Sequence, residues 1–87
     1  MKTIWKFLLP LQDRLSINMP DGAEILSVQF QRGVLTLWAL VDSSKPTVPR
    51  SFEIVGTGFE LQGSTRRHIA TVQTESQNLV WHIFETV

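Results

Sequence analysis

Residues 25–41 read Ile25-Leu26-Ser27-Val28-Gln29-Phe30-Gln31-Arg32-Gly33-Val34-Leu35-Thr36-Leu37-Trp38-Ala39-Leu40-Val41, and this stretch decides the fold class. Two runs rich in β-branched, aromatic and aliphatic residues are separated by Gln31-Arg32-Gly33, a short span with a glycine where a tight hairpin needs one. The first run presents Leu26, Val28 and Phe30 on one side, with Ser27 and Gln29 beside Ile25 on the other. The second, Val34 to Val41, is apolar on both sides except at Thr36. Such a run reads as a central strand covered on both faces. A helix carrying it would be apolar nearly all round. The glycine before it and Asp42-Ser43-Ser44-Lys45-Pro46 after it favour strand.

Working toward the amino terminus, Leu15-Ser16-Ile17-Asn18-Met19 alternates cleanly between apolar and polar, and Pro20-Asp21-Gly22 closes it as a turn. Thr3 to Leu8 alternates more loosely, with Trp5 and Phe7 on one side and Ile4, Lys6 and Leu8 on the other, until Pro10 ends any ladder. Toward the carboxyl terminus, Asp42 to Arg50 holds Pro46 and Pro49 and reads as an ordered loop. Ser51 to Phe59 follows as a strand with Phe52 and Ile54 inward and Glu53 outward. Gly56-Thr57-Gly58 suggests a bulge, a bend or close packing in or after it. Leu61 to Thr65 is a turn region, and His68 to Gln73 a strand. A polar connection over 74–78 then leads to a last apolar strand from Leu79 to Phe84. The sum is about seven short, mostly antiparallel strands, the pattern of an all-β small barrel or sandwich. No window carries a helical stripe before meeting Gly or Pro, and no internal repeat is present. One domain covers residues 1–87.

At 87 residues with 43% hydrophobic content and no cysteine, the chain has a small core and no disulfide to secure it. Thiol nucleophiles, thiolate metal sites and iron–sulfur clusters are excluded outright, and the missing cysteines fit a reducing, cytoplasmic setting. Eight basic and eight acidic residues balance to a net charge of zero, so overall charge favours neither a nucleic-acid binder nor a DNA mimic. The apolar opening stretch is interrupted by Lys6 and stopped by Pro10, too short for a signal peptide. No run is long enough to cross a bilayer, so no membrane partner is expected.

Candidate chemistry is sparse. Lys6, Asp13, His68 and His82 are the residues to try for acid–base work, His82 with a carboxylate such as Glu85. Against this, His82 sits between Trp81 and Ile83 as a strand residue facing away from the core, and His68 reads as a solvated strand start. Two histidines fourteen positions apart, with scattered carboxylates, match no metal-ligand spacing. None of the serines lies in a nucleophile elbow. Gly56-Thr57-Gly58 lacks the following helix of a phosphate loop. The expectation is therefore no catalytic residue, no cofactor and no metal.

Arg32, Arg50, Arg66, Arg67 and His68, with Trp5, Phe30, Trp38, Phe52 and Trp81, could build a nucleic-acid surface. These aromatics, however, lie in apolar runs that suit a core. Three tryptophans in so short a chain exceed what a lone β domain easily covers. A homo-oligomer, a two-fold dimer above all, is the favoured consequence. The interaction surface expected from this excess includes Trp5, Phe7, Trp81 and Phe84, with Arg66 and Arg67 as its charged margin.

Four blocks carry a family resemblance: Thr3 to Phe7, Leu37 to Asp42, Phe52 to Gly58, and Val80 to Glu85. In this order they resemble a family of small uncharacterised proteins found in bacteriophages, prophages and mobile elements. The resemblance implies no activity, cofactor or site residue. It implies a non-enzymatic accessory protein working in a host-cell cytoplasm through contact with a host or phage protein. A nucleic-acid-binding β module and a minor virion or assembly component stand as the alternatives.

Overall fold

The computed structural model describes every residue except Ser64, Glu75 and Gln77. The expected turn over 61–65 and the connection over 74–78 therefore lie partly outside the described residues. Strands run in chain order as β1 (Lys2–Leu8), β2 (Arg14–Pro20), β3 (Glu24–Gln31), β4 (Val34–Asp42), β5 (Thr47–Gly56), β6 (Arg66–Gln73) and β7 (Val80–Thr86), with no helix among the described residues. They form two antiparallel sheets, one ordered β1-β4-β3 and the other β2-β5-β7-β6. The chain is an all-β sandwich. The sheets do not close into a barrel: no ladder joins β1 to β2, and β3 and β6 lie side by side without pairing.

The hairpin at the centre of the sequence forms as its residues require. Gln31 faces Val34, and the two residues between them take positive φ, 51° at Arg32 and 79° at Gly33. That is the mirror-image turn whose hand matches strand twist. Glycine takes it freely, whereas arginine is strained there. Arg32→Asn is expected to raise stability by about 0.5 kcal/mol and Gly33→Ala to lower it by about 1 kcal/mol, both read by urea unfolding.

β4 is the middle strand of its sheet, and Leu35, Leu37, Ala39 and Val41 are all buried on its inner side. Its outer side is not covered by a second layer. Trp38 and Leu40 are half-buried there, and only Thr36, whose hydroxyl donates to the Val34 carbonyl at 2.9 Å, is fully enclosed. In β3 a register shift between Ile25 and Ser27 turns the strand. Ile25 therefore faces Ala39 on the inner side with Val28 and Phe30, while Leu26 is left exposed. A strict two-residue beat put Leu26 inward; the bulge reverses the pair.

β5 also begins and ends earlier than expected, at Thr47 and Gly56, so half of the proline loop is strand. Pro49 fits because of hydrogen-bond phase. The Ile54 amide donates to the Asp13 carbonyl and the Asp21 amide to the Pro46 carbonyl, so even-numbered residues of β5 bond toward β2. Pro49 points its missing donor the other way, where β7 pairs only with Phe52 to Gly56. After Gly56 the chain bends through Gly58, at φ 92°, which leaves Phe59 outside the strand and exposed. A Cβ on Gly56 would come within 2.9 Å of the Phe59 ring, so this glycine is the close-packing one of the two.

The core between the sheets joins Leu15, Met19, Phe52, Ile54, Val72 and Ile83 from one side to Val28, Leu35, Leu37, Ala39 and Val41 from the other. No helix of the described residues is long and apolar enough to cross a membrane.

Candidate functional site

The four-stranded sheet carries charge on both faces. On its inner face Glu85 lies opposite Phe52 and Arg67, and so points between the sheets. Arg50 meets it through two hydrogen bonds, Nε to Oε2 at 2.6 Å and Nη2 to Oε1 at 2.9 Å, and Arg67 Nη2 adds a third at 2.7 Å. Arg50 Nη1 also donates to the Ala23 carbonyl at 2.5 Å, tying the four-stranded sheet to the turn before β3. Arg50 and Glu85 are largely withdrawn from water, whereas Arg67 is mostly exposed. Hydrogen bonds from Arg50, more than those from Arg67, hold the Glu85 carboxyl below the ordinary carboxylate range despite burial. Glu85 in turn raises Arg50 above its already high value. Arg50 and Arg67 line an open cleft of about 640 Å³ between the β3 and β6 edges.

On the outer face Glu53 is enclosed by Arg66, whose Nε donates to Oε1 at 2.8 Å, with Arg14 at 4.0 Å. Arg66 also donates to the Gln62 carbonyl, which draws the loop after β5 over this corner. Beside this pair runs a chain of side chains linking both histidines. Thr57 Oγ1 lies 2.7 Å from His82 Nε2, His82 Nδ1 lies 3.0 Å from Thr71 Oγ1, and Thr71 Oγ1 lies 2.9 Å from His68 Nε2. His68 rests its ring edge-on against Phe84, centroids 5.4 Å apart.

Both histidines face away from the core. Glu85 lies on the opposite face of the sheet from His82, so the His82–Glu85 pair weighed from sequence is not formed. Both ring nitrogens of His82 and Nε2 of His68 meet hydroxyls, and none of these hydrogen bonds reaches a carboxylate that would hold a tautomer for base catalysis. Among the described residues no group of three His, Cys, Asp or Glu side chains gathers to hold a metal. Lys6 donates to Gln31 Oε1 at 3.3 Å on the other sheet, and Asp13 is exposed.

The six residues expected at an interaction surface fall into three places. Trp5 and Phe7 are neighbours on β1, ring centroids 6.4 Å apart, on the inward side at the free edge of the three-stranded sheet. Arg66 and Phe84 share the outer face of the other sheet. Arg67 and Trp81 share its inner face, where Trp81 packs beside Gly56 with its indole nitrogen buried and unmatched by any described protein group.

Two features were missed from sequence. The partnership of Arg50 with Glu85 was legible in outline: each is an even number of positions from an inward residue, Phe52 or Ile83, so each had to face the core. Exposed Ile4, Leu8 and Val34 on the outer face of the three-stranded sheet carried no such signal, because an apolar residue reads as core until a covering layer is known to be lacking.

The chain belongs to the family described as Domain of unknown function (DUF7352), whose model matches residues 1–87. No curated protein and no solved structure matches it significantly.

Proposed function

We propose that this protein acts by binding protein surfaces, its own second copy among them, rather than by catalysis. The observation that carries this is the contrast between the two outer faces. The four-stranded sheet shows water Arg14, Ser16, Asn18, Ser51, His68 and Thr71. The three-stranded sheet shows Ile4 (57% exposed), Leu8 (58%) and Val34 (43%) around half-buried Trp38 and Leu40, with Lys6, Glu24 and Gln29 between them, and Trp5 (39%) lies on its inward side at the β1 edge. Apolar area gathered on one face of a small soluble-type domain marks an association surface, where scattered apolar residues would not.

Nucleic acid finds less to hold. Arg66 is engaged by Glu53 and Arg50 by Glu85, and among the described residues the only large aromatic beside Arg66 on its face is Phe84. Stacking platforms combine several exposed aromatics with uncommitted cations. The likeness to phage and prophage proteins supports an accessory role in which this apolar face meets a host or phage protein.

Sedimentation equilibrium across micromolar to millimolar concentrations tests the reading. Reversible self-association is expected, lost when Ile4 and Leu8 are both replaced by Lys while the fold persists by circular dichroism. A monomer at every concentration, with the Lys variant indistinguishable from it, would overturn it.

A further inference from the structure

We propose that β1 pairs antiparallel with β1 of a second copy, Trp5 opposite Trp5 of that copy, so that two three-stranded sheets merge into one across a two-fold axis. This rests on the reading above and specifies how the self-association is built.

Four strands end a sheet, and three of them are protected. β3 and β6 lie against each other, and each carries a register shift, between Ile25 and Ser27 and between His68 and Ala70. β2 begins at Arg14, ends at Pro20 and shows Ser16 and Asn18 to water. Among the described residues β1 has no bulge, no internal proline and no covering strand, and its edge charges are Lys2 and Lys6 alone. Its register with β4 is unbroken from Lys2 to Leu8, and its proline, Pro10, lies beyond the strand. A regular edge with Ile4, Trp5, Phe7 and Leu8 among its seven residues is a template for another strand, and its two lysines restrict which register that strand takes.

Hydrogen-bond phase fixes which backbone groups are free. The Leu9 amide donates to the Leu35 carbonyl and the Ser43 amide to the Met1 carbonyl, so odd-numbered residues of β1 bond inward to β4. Antiparallel strands alternate, and Lys2, Ile4, Lys6 and Leu8 therefore aim their N–H and C=O groups outward, with no backbone partner among the described residues. A second β1 must set even residues against even ones. Of the registers this permits, Trp5 opposite itself is the one that pairs the whole strand, Lys2 with Leu8 and Ile4 with Lys6. Sliding the copy one step either way shortens the ladder and sets lysine directly against lysine, Lys2 against Lys6 or Lys6 against its own equivalent. Such like-charge pairs are unfavourable. Length and charge select the same register.

In that register Trp5 and its copy form a non-hydrogen-bonded pair, where side chains approach most closely, with Thr3 of each chain opposite Phe7 of the other. The partly exposed Trp5–Phe7 pair at the open side of each sandwich would then be covered by its equivalent. Stacking of the apolar outer faces is the competing geometry. It is disfavoured by the Lys6–Gln31 hydrogen bond on that face, with Glu24 and Gln29 beside it.

The native chain has no cysteine, so single cysteines report the register without background. Under mild oxidation, Trp5→Cys is expected to give disulfide-linked dimer roughly tenfold faster than Ile4→Cys or Lys6→Cys, because its Cα atoms alone meet their own copies within disulfide reach. Lys6→Pro keeps Trp5 and removes an outward amide, together with the exposed Lys6–Gln31 hydrogen bond, which lies off the pairing edge. It is expected to stay folded while weakening sedimentation-measured association at least roughly tenfold. Fastest cross-linking at position 4 or 6, or a dimer indifferent to Lys6→Pro, would overturn the strand pairing and leave self-association standing. A Lys6→Pro chain and a native chain that are both monomeric throughout would remove the pairing and the broader reading together.

Discussion

Glu85→Ala is expected to remove more than half of the domain's stability at 25 °C. Removing the carboxylate strands Arg50, whose side chain is only 16% exposed, beside the core with three of its hydrogen bonds reduced to the one on the Ala23 carbonyl. Breaking a buried pair from one side costs about 3–5 kcal/mol, and the lower end applies because Arg67 is exposed and rehydrates. A domain of this size has on the order of 5 kcal/mol in hand. Urea unfolding of Glu85→Ala should therefore show a midpoint at less than half the native value. The cause is separable from loss of the pair itself. Replacing both partners, Arg50→Met with Glu85→Leu, removes the stranded charge and should recover most of the loss. If the double variant is as unstable as the single one, the hydrogen bond from Arg50 to Ala23 holds the sheets together and the charge pair does not.

The same carboxylate sets the acid limit. Its pKa is depressed in the folded state, so its contribution is present in full above the unfolded value and is lost as pH falls through the native one. Loss of stability should begin below roughly pH 4.5, where free glutamate takes up its proton. Asp42 acts in the same direction, its carboxylate held down by the Ser44 hydroxyl and amide and by the terminal ammonium. Glu85→Gln should flatten the acid limb of the stability profile, leaving the part due to Asp42 and the other carboxylates.

The parts of this fold that were legible in the sequence are those where one local rule acts alone. Gly33 marks the hairpin because positive φ after a strand suits almost nothing but glycine, and the clean beat of Leu15 to Met19 survives as β2. Where two rules compete, the reading slipped. Pro49 marks a loop by composition, yet lies in a strand because its side of β5 has no neighbour at that level. Leu26 and Ile25 exchange faces because a bulge, invisible to periodicity, intervenes. The candidate site was less legible still. Arg66 and Arg67 are adjacent in the chain and were read as one basic margin, but strand alternation sends them to opposite faces, each to its own carboxylate. Which apolar residues lack a cover depends on how many layers the domain has, and no single strand encodes that.

Phe52 and Trp5 separate core from surface most sharply. Phe52 is 1% exposed at the middle of β5, between Leu15 on β2 and Glu85 on β7, so Phe52→Ala opens a cavity that the flanking strands cannot close. A loss of about 3–5 kcal/mol is expected, most of what the domain has, read as a steep fall in the urea midpoint followed by circular dichroism. Trp5 is as large and lies in as apolar a run, yet it is 39% exposed on an edge strand. Trp5→Ala should cost about 1 kcal/mol of monomer stability, chiefly its contact with Phe7. Measured at high protein concentration, the same substitution should cost more, because the folded dimer is stabilised by mass action and the monomer is not. An equal cost at low and high concentration would make Trp5 an ordinary rim residue of the sandwich. A cost that grows with concentration would place its ring in contact with another chain.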